Sequence, residues 1–203
     1  MNEKLEAIRL AAQVELARHP AVRPWWVDAG ALLGINLLFG AGSMLLLTTP
    51  VDGFGPLRWG VAGALLAVCA LGSFAAVRPG WRAARLVLLG LAGLTMALVL
   101  IAATGFDPGR PFLGGMGCGL WEGMASVVPV IAAMVVLSRF APDPLRTVVG
   151  GLAAGAGGLL ALHLHCPNGM LSHLIVFHLV PWVLVSLAAL GLRRLVRSAS
   201  WAP

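Results

Sequence analysis

Four of the five histidines lie within 16 residues, as His163, His165, His173 and His178, and Cys166 falls among them. Imidazole and thiolate are soft-to-borderline ligands of the kind that zinc and copper take. The spacing follows no standard zinc pattern, and histidines at a membrane edge also hydrogen-bond headgroups or backbone without any ligand role. Cys118 and Glu122 stand four residues apart, so a helix would stack the carboxylate one turn from the thiol on a single face. A carboxylate inside an apolar segment usually faces a bundle interior and has a partner or a function; protonation would neutralise it cheaply, and a hydrogen bond to Trp121 or His165 is an equally plain alternative. Cys118 and Cys166 support a disulfide, if their α-carbons come within about 7 Å, or a zinc, copper or other soft-metal site. His163, His165, His173 and Glu122 are the candidate additional or supporting ligands. The third cysteine, Cys69, lies between Val68 and Ala70 and reads as a small buried apolar residue.

Only membrane-spanning helices can position these groups. Of the 203 residues, 59% are hydrophobic and 11% charged, against about 45–50% and 25% in soluble domains, and the mean hydropathy is +0.91. That apolar content excludes disorder, and the 26 glycines lack the three-residue period of collagen. A crossing needs about 20 apolar residues. Uncharged or nearly uncharged runs predict an all-α bundle of six spans near 28–49, 58–78, 84–104, 117–138, 146–164 and 170–192, the last two divided by a turn at Cys166-Pro167-Asn168-Gly169. The organisation is then an N-terminal tail over 1–25, a transmembrane domain over 26–195 and a C-terminal tail over 196–203.

Twelve of the 14 Lys and Arg residues fall in the two tails and the second and fourth loops, leaving Arg58 and Arg110 for the opposite side. The positive-inside rule therefore predicts both termini in the cytoplasm, with Cys118 and Cys166 together at the outer face, which in a bacterium is the oxidising periplasm. Topology also accounts for the net charge of +6, which gives no ground for a nucleic-acid partner; the bilayer is the expected surrounding. The mixed charge of the first 25 residues argues against a cleavable signal peptide. No Gly-x-Ser-x-Gly, Walker loop, His-Glu-x-x-His or Cys-x-x-Cys is present, so a non-enzymatic role is expected.

Small residues recur at four-residue spacing, as Gly30 and Gly34, Gly115, Gly119 and Gly123, Gly151 and Gly155, and Gly150, Ala154 and Gly158. Such stripes let helices approach closely in lipid, and packing within the bundle is the expected use. Pro129 and Pro181 should bend the fourth and sixth spans. Ahead of the spans, residues 3–18 favour helix. Leu5, Ile8 and Leu16 line one side of it, and Leu10 and Val14 line the nearly opposite side. Two apolar stripes suit insertion into a partner's cleft better than a membrane surface; packing on the cytoplasmic ends of the bundle is the alternative.

These features together resemble one family. Six short spans, the segment Pro20-Ala21-Val22-Arg23-Pro24, Gly117-Cys118-Gly119-Leu120-Trp121, a Gly- and Ala-rich fifth span, Leu164-His165-Cys166-Pro167 and Gly191-Leu192-Arg193-Arg194 are similar to the NrsF-type negative regulators of sigma-F-like extracytoplasmic-function (ECF) sigma factors. The last hundred residues carry most of the likeness. The resemblance implies a membrane anti-sigma factor of the bacterial inner membrane. Its cytoplasmic tail would bind an ECF sigma factor, and Cys118 and Cys166 would be the residues that sense a redox or heavy-metal signal. A small Cys/His metal transporter and a membrane thiol oxidoreductase are the competing classes; spans one to three lack the polar lining of the first, and Cys69 is a poor second redox partner for the other.

Overall fold

The computed structural model describes residues 2–18, 23–47, 55–105 and 115–196, excluding the side chains of residues 2–4 and 15–18. These residues form seven helices: α1 (Asn2–Arg18), α2 (Trp25–Leu46), α3 (Pro56–Val77), α4 (Arg82–Ile101), α5 (Met116–Leu137), α6 (Pro144–His165) and α7 (Leu171–Leu195). The last six are long and apolar enough to cross a membrane, and each starts and ends within three residues of its expected bounds wherever those bounds are described. Residues 48–54 and 106–114, Pro20 to Val22 and the tail beyond Val196 lie outside the described residues, and with them Arg110 and Arg197.

Helix α6 is the core of the bundle. Buried residues make up 83% of its span, against 28–56% in the other five, and α2, α3, α5 and α7 all pack on it. Its composition is the cause. Lipid tails supply no hydrophobic drive for helices to associate, so close van der Waals packing must do so, and small residues permit it. A Cβ on Gly157 would lie 2.9 Å from the Asn36 carbonyl oxygen of α2, and one on Gly151 would lie 2.9 Å from the Ser186 Cα of α7. Gly155 leaves room for Trp182, whose Cδ1 would be 2.7 Å from a Cβ there, and the indole nitrogen donates to the Leu152 carbonyl at 3.0 Å. The α6 stripes thus pack within the bundle as expected. Gly30 and Gly34 do not, since nothing lies within 4 Å of a Cβ at either.

A network of arginines knits one end of the bundle. Asp143 caps the start of α6, accepting from Leu145 N at 3.0 Å, with Pro144 at the first helical position. The same carboxylate pairs with the buried Arg85 at 2.8 Å, and Arg85 also donates to the Ala75 and Arg78 carbonyls that end α3. Asp28 pairs with Arg139 at 3.0 Å, and Arg193 donates to the Phe140 carbonyl. Arg78 lies over the Trp25 and Trp81 rings, an arrangement suited to a membrane interface. Arg58 lies at the other end, beside the turn that holds Cys166.

Candidate functional site

Cys166 sits where α6 must stop. Pro167 follows it, and a residue before proline is pushed out of the helical region; Cys166 is accordingly extended at φ −71°, ψ 117°. The end of α6 leaves carbonyls without helical partners, and Arg58 of α3 takes them, donating to Cys166 O at 2.6 Å and His163 O at 3.4 Å. The turn is held from the far side as well. Asn168 Oδ1 accepts from Met170 N at 3.0 Å, Thr104 N donates to Gly169 O at 2.8 Å, and Leu171 N donates to Gly105 O at 2.7 Å.

Cys118 enters from the first turn of α5, and its sulfur lies 3.9 Å from that of Cys166. The expectation that the two thiols share one end of the bundle is met, and at near-contact distance. Both cysteines are free. The Cys118 thiol beside it holds the Cys166 thiol well below the usual cysteine range, against the opposing effect of its own burial.

Two histidines of α7 complete the cluster. His173 Nε2 lies 3.3 Å from Cys166 Sγ, and the His173 and His178 rings meet edge to face with centroids 5.2 Å apart. Residues five apart diverge by about 140° on an α-helix, so this pairing needs a local departure from α geometry. It comes from a π-helical turn over Ile175–Leu179, where Val180 N bonds to Ile175 O. Pro181 follows this turn at once. Its ring crowds the carbonyl four residues back and it has no N–H to give, and the wider turn absorbs both faults. The expected bend at Pro181 is thus a π-turn, and it aims both imidazoles the same way. Gly115, which caps the start of α5, and Gly119 within it accommodate this turn, the ring of Phe177 filling the place of a side chain at Gly115.

Ligand atoms of Cys118, Cys166, His173 and His178 all lie within 4.8 Å of one another, a group that could hold a metal. The other candidates fall elsewhere. His163 is buried, with its Nε2 at 3.3 Å from the Arg58 carbonyl, which closes a reciprocal clamp with Arg58 beside the Cys166 turn. His165 stands outside the four-residue group. Glu122 is fully buried in the bundle interior, as an intramembrane carboxylate should be, but it too is outside the group. Neither of its oxygens has a hydrogen-bond partner among the described residues, which disfavours the bond to Trp121 or His165. His178, one of the four clustered histidines, joins this group although it is not among the candidate ligands named from the sequence, and an α-helical period alone would place it away from His173.

Helix α1 stands apart from this site. Leu5, Ile8, Leu10 and Val14 are all exposed, at 49–65% of their full accessibility; the side chain of Leu16 lies outside the described residues. Exposure along 5–14 is continuous, so this stretch is not packed on the ends of the bundle.

Fold and site together define a multi-pass membrane protein with a thiol–imidazole cluster at one end of six apolar helices. No family model matches the chain, and no solved structure matches it. Along its full length it is similar to the carotenogenesis protein CarR of Myxococcus xanthus, with 29% identity over 205 residues that span 100% of this chain and 92% of that protein.

Proposed function

We propose that the protein is a non-enzymatic regulator of the NrsF type, a membrane anti-sigma factor. It holds an ECF sigma factor at the cytoplasmic face of the bacterial inner membrane and releases it on a redox or soft-metal signal received at the outer face. The observation that carries this reading is the meeting of Cys118 and Cys166, 48 residues apart in sequence, with their sulfurs 3.9 Å apart. The arginine network at the opposite end supports an orientation with both termini inside. The tail helix α1 keeps large apolar side chains in solvent, which a soluble partner would cover. Similarity to a carotenogenesis protein across nearly all of both chains supports a role in a pigment-forming or comparable stress response, and the missing hydrolase and nucleotide motifs favour a regulator over a biosynthetic enzyme.

Capture of sigma factors by the full-length protein in detergent tests the reading. The intact chain should retain one ECF sigma factor, and a variant with Leu5→Asp, Ile8→Asp and Val14→Asp should lose at least about tenfold in affinity, since about 1.4 kcal/mol is one factor of ten and a buried apolar anchor contributes more than that. Failure of the intact protein to retain any ECF sigma factor would discard the anti-sigma assignment. Retention undiminished in the triple variant would move the interface off α1.

A further inference from the structure

We propose that Cys118, Cys166, His173 and His178 are the four ligands of a tetrahedral zinc site that joins the outer ends of α5, α6 and α7. A thiol pair used for redox sensing alone needs no imidazole, yet two histidines from α7 converge on the sulfurs, and a π-turn is spent on bringing them there.

The distances fit the ion. Zinc bonds of about 2.3 Å to sulfur and 2.0–2.1 Å to nitrogen put tetrahedral ligand atoms about 3.3–3.8 Å apart. Two of the observed separations, 3.9 Å between the sulfurs and 3.3 Å between Cys166 Sγ and His173 Nε2, lie close to that range, and all four ligand atoms lie within 4.8 Å of one another. A second, independent observation points to a missing ligand. His178 is fully buried, and its ring nitrogens make no hydrogen bond of good geometry among the described residues, facing only the Cys166 thiol. Burying an imidazole without a partner is costly, and coordination to a metal would satisfy it. Charge then favours a divalent ion, and a tetrahedral set of two sulfurs and two nitrogens is the geometry that zinc takes. Two thiolates and a divalent cation cancel, whereas a monovalent copper ion would leave a net negative charge beside the bilayer. The supports around the ligands are already in place: Arg58 fixes the Cys166 carbonyl at 2.6 Å, and the backbone pairing of Gly105 with Met170 anchors the turn. Bound zinc would make three separate chain segments one unit, as structural zinc sites do.

The full-length protein, purified in detergent under reducing conditions without chelator, should carry about one zinc per chain by elemental analysis. Exchange into cobalt(II) should give the d–d bands of tetrahedral coordination together with thiolate-to-cobalt charge transfer. His178→Ala and Cys118→Ser should each weaken zinc binding by more than about tenfold, and both are made because the half-buried Cys118 tolerates substitution where His178 could fail to fold. Cys69→Ala, which removes the thiol that lies outside the group, should keep the cobalt spectrum. A reduced wild-type protein that takes up neither zinc nor cobalt overturns the site, as does a cobalt spectrum unchanged in both ligand variants or lost equally in Cys69→Ala. Metal content is read without any partner, so a zinc protein that captures no sigma factor would refute the regulator reading and leave this site standing.

Discussion

Under the proposed anti-sigma function, cells carrying Cys118→Ser or Cys166→Ser should show the same sigma-dependent transcription with and without the signal that induces the wild type. The reason is thermodynamic. A signal shifts a two-state regulator only through its differential affinity for the two states, and the usual coupling of about 1–3 kcal/mol corresponds to about 5–150-fold in output. The two sulfurs are the point at which α5 meets the turn between α6 and α7, so a hydroxyl at either position removes both the disulfide and the soft-metal chemistry that could tell one state from the other. The induction ratio, measured with a promoter fusion at equal protein levels in membranes, should fall to about one. Normal induction in both variants would remove the cysteines from the signalling route.

A large effect on the fold should come from Gly157. Its neighbour is the backbone carbonyl of Asn36, 2.9 Å from where a Cβ would be, and backbone cannot move aside by changing rotamer. Gly40 faces Gly157 in the same crossing, its own Cβ position 3.3 Å from the Gly157 carbonyl. Alanine at 157 should therefore cost about 1–3 kcal/mol, as overpacking of a close contact does, and leucine should separate α2 from α6 and leave no folded protein to extract. Gly30→Ala, with open space around it, is the matched control and should leave thermal denaturation in detergent unchanged. Equal melting temperatures for Gly157→Ala and the wild type would mean that α2 and α6 do not cross this closely.

The spans were legible because the bilayer leaves a chain few ways to cross, and runs such as Trp59 to Val77 have only one reading in lipid. The packing role of Gly151, Gly155 and Gly158 was legible for the same reason, although Gly30 and Gly34 share the spacing and pack on nothing. Spacing marks what a helix can offer, and only the neighbour decides whether the offer is taken. Topology placed Cys118 and Cys166 at one end but had no power to measure the gap between them. The partner of His163, Arg58, is 105 residues away, a separation that no local pattern records. His178 was hidden by the opposite problem. An α-helical period sets it away from His173, and the π-turn that brings the two together is foreshadowed only by Pro181, whose fault a simple kink could equally have met.

The π-turn of α7 has one more consequence. A single surplus residue in a turn advances everything beyond it by about 100°, so α7 is two helical segments on a shared path but out of phase. The later segment faces α6 with Trp182, Ser186, Ala189 and Arg193, a buried row at regular α spacing. The earlier one presents His173 to the cysteines. Deleting one residue between Ile175 and Leu179 would put the two segments back in phase, with ample apolar length still left to cross the bilayer. No ligand would have been mutated, yet His173 would swing out of reach of the sulfurs for as long as Trp182 kept its seat on Gly155. The position of that imidazole is thus stored in the timing of a helix, where a search for ligand residues alone would never find it.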